Sequence, residues 1–182
     1  MWAKISLILA SLACAVPAMA IEASRKAPAT PKQGPPFRIG GFTYSLQQGR
    51  IHMNVCGQPS CGAGSKVSYI FYAPKPGKTF AEYKAERATI EKAFRSRLPP
   101  GATIKFPPPT QRNDKSFKTF ESRRVMTMPD GRKDIAVSRT ILGEKFGIDL
   151  ISSGSNEKQV EENLAVFIVA AMLAAVGAGD KR

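Results

Sequence analysis

The feature that most constrains the fold is the stretch from Phe117 to Val176, whose pattern predicts three consecutive strands followed by an apolar helix. Pro129-Asp130-Gly131 separates the first two strands, because proline fixes φ and glycine adopts the left-handed conformation that a three-residue hairpin requires. Every residue from Leu164 to Val176 is apolar. This run is roughly 20 Å long as a helix, shorter than the roughly 30 Å of a bilayer core. A helix packed on the sheet is therefore predicted, with a membrane-inserting tail and a partner-binding helix as alternatives.

The hairpin at Pro129 also predicts a polar pair on an otherwise apolar face. If Met128 pairs with Arg132, Glu121 faces Arg139 on the side of the sheet that collects apolar residues. Two buried charges must be paired, because an isolated buried charge costs too much free energy. Glu121 and Arg139 are therefore candidates for a polar groove between sheet and helix, or for an ion pair at the edge of the core.

Two further connections follow from turn signals. Gly143-Glu144 is predicted as a two-residue turn, which would place Ile141 beside Phe146. The prolines that begin at Pro107 predict an exposed loop that continues to Asp114.

Upstream of this stretch, Phe42–Leu46 and Arg50–Val55 read as a hairpin, and Lys66–Ala73 reads as the next strand. In the second strand, apolar residues from Ile51 onward alternate with polar ones. The alternation predicts that His52 lies on the solvent face.

A helix is predicted to begin at Thr79, because Thr79 and Glu82 form a capping box, and to end before Pro99. One face of it carries the apolar residues and its second half is basic. The predicted apolar face comprises Tyr83, Ile90, Phe94 and Leu98, and the basic residues are Arg87, Arg95 and Arg97. A solvated face is the default for these cations, and anion binding is the alternative.

The order of elements predicts the α+β class: an antiparallel sheet, made of a hairpin and a three-stranded meander, packed with two helices. In layout this order resembles the PsbP/Mog1-type sandwich, which has a helix on each side of an antiparallel sheet. No sequence motif accompanies that resemblance.

The first twenty residues predict an export signal, with Lys4 in a short basic region, an apolar core and cleavage after Ala20. The protein is then expected in a bacterial periplasm or outside the cell, with lipidation at Cys14 as a minor alternative. Residues 21–36 are predicted to be a disordered arm rich in proline and lysine, and residues 37–179 a single α+β domain.

Loss of Cys14 with the signal peptide leaves Cys56 and Cys61, an even pair in an oxidising compartment. A structural disulfide is predicted for them. A redox-active pair, normally separated by two residues at the start of a helix, and a metal site are the alternatives.

The chain carries 27 basic and 14 acidic residues, a formal net charge of +13 that becomes +12 when Lys4 is removed. This excess favours anionic partners outside the cytoplasm: lipid headgroups, lipopolysaccharide or wall polymers, with peripheral membrane contact possible and nucleic acid not expected. Another envelope protein is the other partner class considered. The candidate anion-binding patch comprises Arg95, Arg97, Lys115, Lys118, Arg123, Arg124, Arg132 and Lys133.

No catalytic set, metal cluster or cofactor motif is predicted, since His52 is the only histidine and has no fixed partner in the sequence. The leading hypothesis is a non-enzymatic interaction protein of the cell envelope. The alternatives are a small envelope thiol protein or enzyme that uses Cys56 and Cys61, and a structural protein tethered to the membrane by its last helix.

Overall fold

The computed structural model describes residues 36–75, 77–114 and 116–179, with side chains to residue 177. The predicted signal peptide, and the predicted arm up to residue 35, lie outside this part of the chain. Eight strands form one antiparallel sheet in the order β1-β2-β3-β8-β7-β6-β4, and β5 also pairs with β6. The strands are β1 (Phe42–Gln47), β2 (Ile51–Cys56), β3 (Lys66–Tyr72), β4 (Thr103–Lys105), β5 (Thr110–Asn113), β6 (Phe117–Thr127), β7 (Lys133–Gly143) and β8 (Gly147–Gly154).

One helix covers each face of the sheet, which confirms the predicted α+β class. Helix α2 (Glu157–Gly179) packs on β8, β7 and β3 over the larger core. Helix α1 (Phe80–Arg95) lies on the other face, where Tyr83 packs against Phe120 and Leu142. The core beneath α2 comprises Val67, Tyr69, Val137, Ile141, Ile148, Leu150, Val160, Leu164, Phe167 and Ala171.

The hairpin between β6 and β7 has the predicted register. The amide of Met128 donates to the carbonyl of Arg132 over 2.8 Å, and Glu121 pairs with Arg139. Gly131 has a φ of +83°, the left-handed conformation that the turn requires. Local turn chemistry was therefore sufficient to fix the long-range pairing of these two strands.

The predicted register of the next hairpin was wrong by two residues. Ile141 pairs with Ile148 instead of Phe146, and the amide of Gly143 donates to the carbonyl of Phe146 over 2.9 Å. The two loop residues are thus Glu144 and Lys145. A Cβ atom on Gly143 would lie 2.9 Å from the Phe146 ring, so the missing side chain of this glycine makes room for that ring.

The predicted loop from Pro107 to Asp114 contains the short strand β5, which pairs with the first part of β6. All four residues of β5 are exposed. An edge strand of this kind is held by backbone hydrogen bonds to its one neighbour, so its polar sequence shows no alternation that could reveal it.

His52 is buried, 5% exposed, which contradicts the prediction of a solvent-facing histidine. The predicted orientation of β2 was wrong. Its pairing with β3 places His52 opposite Tyr69, on the face of the sheet that α2 covers. The two rings stack with centroids 4.7 Å apart, and the Tyr44 hydroxyl lies 3.1 Å from His52 Nδ1. The imidazole is a flat ring that can stack on Tyr69, so the polarity of His52 did not prevent its burial.

Burial lowers the pKa of His52 below its ordinary value, because the charged ring is poorly solvated there. In the unfolded chain His52 binds a proton near pH 6.5, so the folded state is expected to lose stability as pH falls below that value. The check is urea unfolding across this range for the unmodified protein and His52→Gln. The variant is expected to lack this part of the pH dependence, and identical slopes for the two proteins would contradict the assignment.

The predicted start of α1 agrees with the structure. Thr79 and Glu82 form the reciprocal capping box of α1, and the Asn156 side chain accepts from the amide of Gln159 at the start of α2. The apolar face predicted for α1 is only partly buried, since Ile90 and Phe94 are exposed. The apolar side chains of α1 that pack on the core come from its first turns, at Phe80 and Tyr83.

Candidate functional site

A disulfide joins Cys56, the last residue of β2, to Cys61 in a short 3₁₀ turn that leads to β3. Both residues are buried, with exposed fractions of 2% and 7%. The side-chain amide of Asn163 in α2 donates to the carbonyl of Cys61 over 2.9 Å, so the turn also anchors the helix. Burial limits attack by another thiolate, which favours the structural role over a redox one.

The structure does not bring the eight predicted patch residues together. Arg123 and Arg124 are consecutive in β6, so their side chains point to opposite faces of the sheet. Arg123 forms ion pairs with two glutamates at the start of α2, on one face. Arg124 forms an ion pair with Asp134 on the other face.

The remaining members of the predicted patch are also dispersed. Arg132 pairs with Asp130 inside the β6–β7 turn, with Nε and Oδ2 2.6 Å apart. Lys118 and Lys133 lie exposed towards opposite ends of the β6–β7 hairpin, and Lys115 is outside the described residues. Of the remaining two members, Arg95 lies near Arg124, as described below, and Arg97 is exposed just after the end of α1.

The Glu121–Arg139 pair lies at the edge of a groove between the sheet and α2. Arg139 Nε lies 2.6 Å from Glu121 Oε2, and both side chains are partly buried. The groove has a volume of about 190 Å³, with Phe117, Ile168 and Met172 among its apolar lining. Because the two charges satisfy each other, the groove offers no free cation or anion at this position.

Burial also perturbs polar groups beneath α1. Asp149 accepts hydrogen bonds from Thr140 Oγ1 over 2.6 Å and from the Tyr72 hydroxyl over 3.2 Å. Desolvation raises the pKa of Asp149, and desolvation together with the nearby carboxylate raises the pKa of Tyr72. These groups satisfy one another within the core and do not line the groove at Glu121 and Arg139.

A cluster of cations around two aromatic rings lies at the end of α1. We call it the cationic–aromatic surface and define it as Arg87, Phe94, Arg95, Phe106 and Arg124. The guanidinium carbons of Arg95 and Arg87 lie 5.2 and 5.9 Å from the centroid of the Phe106 ring. That of Arg124 lies 4.5 Å from the centroid of Phe94, and the two rings are 6.3 Å apart.

Local structure explains why the cations gather here. Lys92 and Arg95 occupy the last turn of α1, where the partial negative charge of the helix end favours cations. Arg97 and Lys105 follow along the chain, and both are exposed. Within the described residues, Arg87 and Arg95 form no ion pair, and the Nε atoms of Arg87 and Arg124 have no hydrogen-bond partner. The charges of Arg87 and Arg95 are therefore not neutralised by an ion pair in the described part of the chain, whereas Arg124 is paired with Asp134.

The basic half of α1 was predicted from the sequence, and Arg124 was placed in the same candidate patch as Arg95, although it was grouped there with its neighbour Arg123. The sequence analysis gave Phe106 no role. The signal for Arg124 was the period of two in β6, which separates it from Arg123. No sequence signal places Phe106 against Arg95, because that contact depends on how the chain returns from α1 into β4.

No protein-family profile and no curated protein matches the sequence. Among solved structures, the solution structure of cyanobacterial PsbP (CyanoP) from Synechocystis sp. PCC 6803 is similar, with a TM-score of 0.49 and 11% sequence identity. The match covers 73% of this chain and 80% of that one.

Proposed function

We propose that this protein is an exported, non-enzymatic interaction domain that binds an anionic component of the cell envelope. The observation that carries the proposal is the cationic–aromatic surface, which replaces the dispersed patch predicted from sequence. Export is supported by the signal-like first twenty residues and by the buried disulfide, which suits an oxidising compartment.

The arrangement of Arg87 and Arg95 suits phosphate or carboxylate groups. Each guanidinium lies near the Phe106 ring, a cation–π contact that helps to hold the planar group in place. Planar N–H groups bind two oxygens of one phosphate or carboxylate at once. Phe94 and Ile90 are exposed beside them and offer apolar contact for the rest of a ligand.

Replacing Arg87 and Arg95 together by Gln is expected to weaken binding of polyphosphate, a lipid-free probe, by on the order of tenfold or more. The glutamines keep much of the side-chain volume but lose both positive charges. Binding by the unmodified protein is also expected to weaken as salt is added, because exposed charges are screened. Calorimetric titration of the purified protein measures both effects.

The matched control is Arg50→Gln with Lys145→Gln, which removes the same charge from two exposed turns elsewhere. This control is expected to bind polyphosphate nearly as well as the unmodified protein. Equal weakening of the two double variants would mean that net charge alone governs binding, and the surface would lose its special role.

A further inference from the structure

Helix α2 presents a second apolar face to solvent. Its inner residues Leu164, Phe167 and Ala171 are fully buried against the sheet. On the outer side, four large apolar side chains are between 49 and 69% exposed at intervals of three and four residues, which places them on one face. We define this outer stripe as Val166, Val169, Leu173 and Val176.

The outer stripe is continuous because α2 contains no charged residue from Leu164 to Val176. Residues Glu157–Gly177 are long and apolar enough to cross a membrane by composition, with a mean hydropathy of 1.8. The inner face is nevertheless part of the core, so the folded helix lies flat along the sheet. It can contact a bilayer only sideways, with the outer stripe in the plane of the interface.

The described chain begins beside α2, directly after a basic stretch of the sequence. Phe37 stacks on Tyr69 with ring centroids 4.9 Å apart and packs edge-on against Phe167 of α2 at 5.9 Å. The segment before it carries three basic residues and one acidic residue between Ile21 and Pro36. The basic residues are Arg25, Lys26 and Lys32. The described chain therefore enters the fold beside α2, and these cations shortly precede that point in the sequence.

The size of the outer stripe argues against a second copy of the chain as its main occupant. A stable protein interface takes about 800 Å² and roughly 20–30 residues from each partner. The outer stripe offers four large side chains along about 15 Å of helix. Binding to a bilayer requires no minimum contact area of this kind. Each apolar side chain that enters the bilayer contributes separately, and nearby cations add to the binding.

We propose that the outer stripe inserts into the interface of an anionic lipid bilayer, with the basic segment before Pro36 bound to the headgroups. Neither the outer stripe nor the basic segment alone would bind a bilayer strongly, and together they give a reversible peripheral attachment. Because α1 lies on the opposite face of the sheet, the cationic–aromatic surface faces away from this membrane and stays free to bind its own partner.

The test uses tryptophan fluorescence, since the only tryptophan of the chain, Trp2, precedes the predicted cleavage site. Leu173→Trp places a probe in the outer stripe, and Ile151→Trp is the matched control on an exposed apolar position of the α1 face. With vesicles of equimolar phosphatidylglycerol and phosphatidylcholine, emission of the Leu173→Trp protein is expected to shift to shorter wavelength. The control is expected to stay unshifted, as is either protein with phosphatidylcholine alone.

Two further variants separate the contributions. Replacing Arg25, Lys26 and Lys32 by Gln is expected to weaken vesicle binding by on the order of a hundredfold. Val169→Ser with Leu173→Ser is expected to weaken it by about tenfold or more while leaving polyphosphate binding unchanged. A shift that depends on protein concentration without vesicles would assign the stripe to self-association and overturn the proposal, as would equal shifts at positions 173 and 151.

Discussion

Phe167→Ala is expected to lower the free energy of unfolding by about 3–5 kcal/mol, the largest effect of any variant considered for this protein. The Phe167 ring is fully buried in α2 and contacts the rings of Phe37, Phe42 and Tyr69. Truncation would leave a cavity that stiff neighbouring rings fill poorly. Urea unfolding followed by circular dichroism measures the change.

Leu173→Ala is the matched control for Phe167→Ala, because it shortens an apolar side chain six residues further along the same helix. Leu173 is 69% exposed, so this variant is expected to change stability by no more than about 0.5 kcal/mol. Comparison of the two variants distinguishes a helix that packs one face on the core from a helix that does not pack on the sheet. Similar losses for both variants, or no loss for either, would contradict the packing of α2.

Replacing Cys56 and Cys61 together by Ala is expected to cost about 2–3 kcal/mol. The bridge closes a short loop, so it removes less entropy from the unfolded chain than a long one would, and the lost sulfur packing adds to the cost. Thermal or urea unfolding of the double variant measures the change.

The burial of this bridge also makes a redox prediction. Native protein is expected to keep the disulfide in mild reductant and to lose it once unfolded, as measured by a free-thiol count. Rapid reduction of the folded protein would contradict the structural role and revive the thiol-protein alternative.

Sequence reasoning succeeded where short-range chemistry decides the structure. The β6–β7 hairpin follows from Pro129-Asp130-Gly131, and the capping box at Thr79 starts α1 where the pattern placed it. The disulfide was predicted from an even cysteine count in a chain expected to be exported. In each case the residues that determine the outcome are neighbours in sequence or members of one small set.

The errors concern contacts between segments that are distant in sequence. His52 is buried because β2 lies beside β3, and β3 pairs with β8 about eighty residues away. The predicted patch failed to assemble because side chains alternate across β6, so Arg123 meets glutamates of α2 while Arg124 meets Phe94 of α1. A strand order of this kind is not encoded in any local pattern.

The candidate site shows the same difference between features that local sequence predicts and features that depend on distant contacts. The basic end of α1 was visible in the sequence, and so was the long apolar run of α2. Which side of α2 is covered depends on the sheet beneath it, since Phe167 and Leu173 are chemically alike and only packing distinguishes them. The proposed function therefore depends on surfaces that form only in the tertiary structure.

The most direct test of the proposed envelope attachment is fractionation of cells that express the intact chain, by osmotic shock, then high salt, then detergent, with the mass of the protein determined in each fraction. We expect a chain that begins at Ile21 and that stays with the envelope after shock. A variant that lacks both the cations at positions 87 and 95 and the apolar residues at 169 and 173 is predicted to leave with the shock fluid. The proposed envelope attachment would be contradicted if shock alone released all of the unmodified protein. It would also be contradicted if the chain remained in the cytoplasm with its first twenty residues uncleaved.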